Sequence, residues 1–67
     1  MNNSVKIAVD AMGGDGSPSK IIQGIEISLK LNNKNFFYLY GDKSALENEI
    51  DNKKITKNNY EIINTKD

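Results

Sequence analysis

Apolar and polar positions alternate near the start of the chain. Val5, Ile7 and Val9 fall on one side of an extended segment and Lys6, Ala8 and Asp10 on the other. A period of two, rich in β-branched residues, predicts a strand over residues 5–10. Glycines at 13, 14 and 16 end it. Ser17-Pro18 then reads as an N-cap followed by proline at the first helical position, where its missing N–H costs nothing. The helix it opens is expected to run to Leu31 and stop at Asn32-Asn33. Along it Ile21, Ile22, Ile25 and Leu29 lie within about 100° of one another, a core-facing stripe. Ile27 and Leu31 lie on the far side. Either the helix is sandwiched inside something larger, or these two are ordinary exposed apolar residues.

The run "FFYLY", residues 36–40, is continuously apolar and aromatic and is closed by Gly41-Asp42. Its length and composition predict a strand buried on both faces. Ser44-Ala45-Leu46-Glu47 has the spacing of a capping box and predicts a second helix of about two turns. Residues 51–59, "DNKKITKNN", are polar and loop-like, and "YEII", residues 60–63, is a third strand candidate. The order β-α-β-α-β predicts an α/β fold with a parallel, Rossmann-like sheet. Right-handed crossovers that advance in one direction put both helices on the same face. The other face is then bare, while "FFYLY" asks for cover on both. The chain therefore reads as residues 1–67 of a single larger α/β domain, its amino-terminal fragment.

Composition narrows the chemistry. With no cysteine there is no disulfide and no thiolate metal site, and with no histidine the commonest neutral-pH base and metal ligand is missing. Nine lysines against nine acids give no overall attraction to nucleic acid or membrane surfaces. "MNNSVK" lacks the pattern of a signal peptide, and no apolar run approaches the ~20 residues that span a bilayer. The expected location is cytoplasmic. The abundance of isoleucine, lysine and asparagine reads as the trace of an AT-rich genome and says little about function.

The candidate chemistry lies in "IAVDAMGGDGSPSK", residues 7–20. A strand, a glycine-rich turn and a helix N-terminus together make an anion site, because first-turn amides are free and the helix dipole favours negative charge. The plainer reading is that Gly13, Gly14 and Gly16 supply the positive φ angles of a tight turn. Two named motifs fail in detail. A Walker A loop counted from Gly13 meets Pro18, Ser19 and Lys20 where it needs Gly-Lys-Ser/Thr. A dinucleotide fingerprint fits at Gly14-Asp15-Gly16 but has Ser19 in place of the third glycine. Asp42, after the second strand, sits where ribose hydroxyls are often held, which keeps a nucleotide reading open. Asp10 and Asp15 place two negative charges beside the site, with Lys20 the nearby cation. Each aspartate either organises the loop by accepting its amides or contacts a ligand.

Read as a whole, "VDAMGGDGSPSKIIQGIEISL" resembles the amino-terminal signature of the phosphate acyltransferase (PlsX) family of bacterial phospholipid synthesis. The matching positions are Asp10, Met12, Gly13, Gly14, Asp15, Pro18 and Gly24, and "FYLYGDKSAL" is similar to the family's second strand and following helix. "YEIINTKD" sits where the family has a third strand. The resemblance implies a three-layer α/β domain related to the isocitrate dehydrogenase class, of which this chain is an incomplete opening. It implies transfer of a fatty acyl group from acyl carrier protein to inorganic phosphate, giving acyl phosphate. Asp10, Met12, Gly13, Gly14, Asp15 and Gly16 are then the expected phosphate- or substrate-binding residues, with catalytic residues unassigned. No cofactor, metal or nucleic acid is implied. A homodimer is implied at full length, with membrane association only through a downstream acyltransferase. The alternative is a non-catalytic truncated remnant, or a small nucleotide- or phosphate-binding α/β module.

Overall fold

The computed structural model describes residues 5–53 and 55–65. The segment "MNNS", Lys54 and the last two residues of "YEIINTKD" lie outside the described residues. The elements are β1 (Lys6–Asp10), α1 (Ser19–Leu31), β2 (Phe36–Gly41), α2 (Lys43–Ile50), a 3-10 turn (Lys57–Asn59) and β3 (Tyr60–Asn64). The fold is α/β in the expected β-α-β-α-β order. Its three strands form one sheet in the order β1-β2-β3 with both pairings parallel. The register sets Ile7 beside Phe37, Val9 beside Leu39, and Leu39 beside Ile62.

Alternation along the strands sorts the sheet into two unlike faces. On one, Phe37 and Leu39 form a single core with Ile22, Ile25 and Leu29 of α1 and Leu46 and Ile50 of α2. Ile7, Val9, Tyr60 and Ile62 pack against that core, and Ala11 and Ile55 complete it. Both helices therefore cover the same face, as one-directional right-handed crossovers require. The opposite face carries Lys6, Ala8 and Asp10, then Phe36, Tyr38 and Tyr40, then Glu61 and Ile63. Phe36 and Tyr38 meet edge to face there, ring centroids 5.2 Å apart. Tyr40 is 39% exposed. The double burial expected of "FFYLY" is thus met on one face within these residues. Ile27 and Leu31 are exposed on the outer side of α1.

Four local expectations are corrected. β1 begins at Lys6; Val5 contributes its carbonyl to the Phe36 amide (2.8 Å), but its side chain is exposed. α1 begins at Ser19 with Pro18 as its N-cap, and no side chain caps it. Ser17 does not serve there because its hydroxyl donates backward to the Gly13 carbonyl. α2 begins at Lys43 with Asp42 as its cap, two residues before Ser44: Asp42 Oδ1 accepts from the Ser44 amide at 3.1 Å. The described residues of the polar stretch 51–59 make more contacts than its composition suggests. Ile55 is buried, and Asn59 donates its side-chain amide to the carbonyls of Asn33 (2.9 Å) and Asn35 (3.1 Å), clasping the 3-10 turn to the α1–β2 connection.

Candidate functional site

In open α/β sheets ligands bind beyond the carboxyl ends of the strands. Here that edge is built by residues 11–18 after β1, Gly41-Asp42 at the end of β2 and Asn64-Thr65 at the end of β3. The second and third of these are locked together. The Thr65 amide donates to the Gly41 carbonyl at 3.0 Å, and the Lys43 amide to Asn64 Oδ1 at 3.2 Å.

The glycine loop departs from β1 in a defined order. The Ala11 amide donates to the Tyr40 carbonyl at 3.0 Å, carrying the pairing one residue past the strand, and Ala11 is fully buried. The Met12 amide then donates to Asp10 Oδ1 at 3.1 Å, so the carboxylate closes the first turn itself. Asp10 also lies against Gly13: a β-carbon there would sit 3.1 Å from Asp10 Oδ2. Gly14 and Gly16 have φ of 86° and 81°, the left-handed region where a side chain is strained. Of the six expected site residues, Asp10 ends β1, and Met12, Gly13, Gly14, Asp15 and Gly16 lie in the short exposed loop that follows it.

Two of the amides at the start of α1 are already used. The Lys20 and Ile22 amides, in the first turn of α1, donate to the carbonyls of Gly16 and Pro18, both at 3.0 Å. Among the described residues, the Gly13, Gly14 and Asp15 amides make no backbone hydrogen bond. The Ser19 and Ile21 amides at the helix start likewise make no backbone hydrogen bond among the described residues, so loop and helix start both offer donors to an anion. Lys20 is the cation nearest to the loop along the chain. Its aliphatic stem lies over Gly16, where a β-carbon would come within 2.8 Å of Lys20 Cδ. Gly16 therefore serves both the left-handed turn and the close passage of the lysine.

Asp42 spends its Oδ1 on the α2 cap, which weakens the case for a ribose contact. A shallow concavity of about 200 Å³ lies away from the loop, between α2 and β3, and is lined by Lys43, Glu47, Lys57, Tyr60, Glu61 and Ile62. Burial, with Glu47 and then Asp51 adding like charge, raises the Tyr60 phenol above its ordinary value of 10.0. Among the described residues no group of three or more acidic, histidine or cysteine side chains is placed to hold a metal ion, and no helix is long and apolar enough to cross a membrane. From sequence Gly41 reads only as the end of a strand; its closeness to Met12 is a tertiary contact that no local pattern encodes.

Comparison with known proteins adds an independent line. A family model described as "Fatty acid synthesis protein" matches residues 5–67. A phosphate acyltransferase of Pelagibacter ubique is 48% identical over 67 residues, covering 100% of this chain and 20% of the relative. One of Caldicellulosiruptor saccharolyticus is 36% identical over 63 residues (94% of this chain, 19% of the relative), and one of Bradyrhizobium diazoefficiens 38% over 65 residues (97% and 18%). The chain belongs to this fatty acid synthesis protein family, whose curated relatives are named phosphate acyltransferases. It spans about a fifth of the length of the relatives it matches.

Proposed function

We propose that this segment supplies the phosphate-holding loop of an enzyme that transfers a fatty acyl group from acyl carrier protein to inorganic phosphate. The observation that carries the reading is the loop itself, Asp10 to Gly16, at the carboxyl edge of β1, in a chain whose relatives are named phosphate acyltransferases. In the reaction a phosphate oxygen attacks the thioester carbonyl carbon. The new C–O bond forms, the carbonyl electrons move onto oxygen, and collapse of that oxyanion breaks the C–S bond. The carrier leaves as a thiolate that takes up a proton, and acyl phosphate remains.

Two demands follow. Phosphate must be held beside the carbonyl, and the developing oxyanion needs donors already in place. The Gly13 and Gly14 amides suit either task because no side chain stands between backbone and ligand. Lys20 offsets the phosphate charge, while the Asp10 carboxylate holds the turn that presents the amides. Phosphate is its own nucleophile in this scheme, so no cysteine or histidine is called for. Acyl carrier protein, the acyl chain and any second subunit would engage parts of the full-length protein beyond this segment.

The test uses the full-length protein that carries this segment, supplied with acyl-acyl carrier protein and trapped with hydroxylamine. Acyl hydroxamate that rises and saturates with phosphate concentration is the expected result. Thioester cleavage that is indifferent to phosphate would contradict it.

A further inference from the structure

We propose that Gly41 is a positioning residue for the glycine loop, acting as the seat on which the Met12 side chain is held. The inference rests on the phosphate-holding role proposed for that loop. Gly41 ends β2 on the face that carries Phe37 and Leu39, and it is buried although it has no side chain to bury. What covers it is Met12. A β-carbon built on Gly41 would lie 2.6 Å from Met12 Cγ and 3.0 Å from Met12 Sδ. The same point lies 3.2 Å from Leu46 Cδ1 of α2, so the methionine reaches the carboxyl end of the core beside that leucine. Real carbon contacts begin at about 3.5 Å, so no other residue fits at position 41 with Met12 where it is.

The seat bears on the loop because Met12 lies where its tied part gives way to its free part. Upstream, Ala11 is tied to Tyr40 and the Met12 amide to Asp10. Downstream come Gly13 and Gly14, whose amides the proposed function aims at phosphate. Gly14 and Gly16 give the loop backbone wide conformational freedom. A side-chain anchor at Met12 restricts that freedom where backbone hydrogen bonds to the sheet have stopped. Gly41 itself is further fixed by the Thr65 amide on its carbonyl, so the seat does not move with the loop. Methionine suits the task, since an unbranched thioether adapts its shape to what it lies on, here the end of β2, while its outer side stays 42% exposed.

Met12 is 42% exposed, so its side chain can swing away from a new β-carbon, leaving only the 3.2 Å approach to Leu46 for the core to absorb, which separates positioning from folding. In the full-length protein, Gly41→Ala should remain folded while raising the KM for phosphate about tenfold, with a smaller change in kcat. A misplacement of about 1 Å can cost up to about 100-fold, so tenfold is a moderate expectation. Met12→Ala removes the side chain that collides. Adding Gly41→Ala to a Met12→Ala protein should therefore raise the phosphate KM no further, a non-additivity that marks coupled residues. In protein labelled at its methionine methyl groups, Gly41→Ala should also shift the Met12 signal. Equal effects of Gly41→Ala with and without Met12, or an unmoved Met12 signal, would overturn the proposal. If the wild-type protein shows no phosphate-dependent acyl transfer while the Met12 signal does move, the seat stands and the proposed function falls.

Discussion

Asp10 illustrates how one side chain can be read two ways until its partner is seen. From sequence it either ties the loop or touches a ligand; in the structure Oδ1 accepts from the Met12 amide and Oδ2 lies against Gly13. An acceptor oxygen, more than a charge, is what the turn uses. Asp10→Asn, made in the full-length protein, should therefore keep acyl transfer within a few-fold of wild type. Asp10→Ala strands the Met12 amide and should lose ~10-fold or more, in keeping with the ~1–3 kcal/mol effect of removing a hydrogen-bond partner. Steady-state rates with phosphate varied would check both. Equal losses in the two variants would mean that the charge itself meets the ligand. The glycines divide in the same residue-by-residue way. Gly14 answers to its φ of 86°, with nothing near its missing side chain, whereas Gly41 answers to crowding by Met12.

At the scale of elements, strands and helices were legible because their periods are local. The alternation of Val5 to Asp10 and the stripe of Ile22, Ile25 and Leu29 depend on residues a few positions apart, and the structure buries that stripe. Element starts were less legible, for a physical reason. Asp42 and Ser44 are both good caps two residues apart, and the chain uses the earlier one; Ser17 is also a good cap, yet Gly13 offers its hydroxyl a competing acceptor. The clasp from Asn59 to Asn33 and Asn35 joins residues more than twenty positions apart, so a polar run gave no hint of it. The α2–β3 contact carries its own prediction. The raised Tyr60 phenol favours the neutral form, so its contribution to stability is complete below the ordinary tyrosine value of 10.0. That contribution is lost as pH rises through the raised value. Tyr60→Phe in the full-length protein should show a shallower fall of Tm above pH 10 than wild type. Parallel curves for the two proteins would refute the assignment.

At the scale of the whole molecule, one sheet face is packed under two helices and the other presents Phe36, Tyr38 and Tyr40. Both outer strands, β1 and β3, also offer unpaired edges in this three-stranded sheet, a template for association. A chain of this size buries only about 60% of its unfolded surface even in a complete domain. Residues 1–67 prepared alone should therefore give broad, poorly dispersed amide NMR signals or aggregate, and form no acyl phosphate. A cooperative, reversible thermal transition of the monomer would refute the first half, and turnover by that preparation the second. The central claim, that residues 10–16 hold phosphate for acyl transfer, is tested most directly by Gly14→Val in the full-length protein. Gly14 has open space around it, so the substitution acts through the backbone: a β-branched residue forced to a φ of 86° is strained by about 1–3 kcal/mol and turns the adjoining amides away. The measurement is acyl phosphate formed from acyl-acyl carrier protein as phosphate is varied. The account predicts a loss on the order of 100-fold in kcat/KM for phosphate in a variant that keeps its wild-type circular dichroism and oligomeric state. A folded Gly14→Val protein with wild-type kcat/KM for phosphate would contradict it.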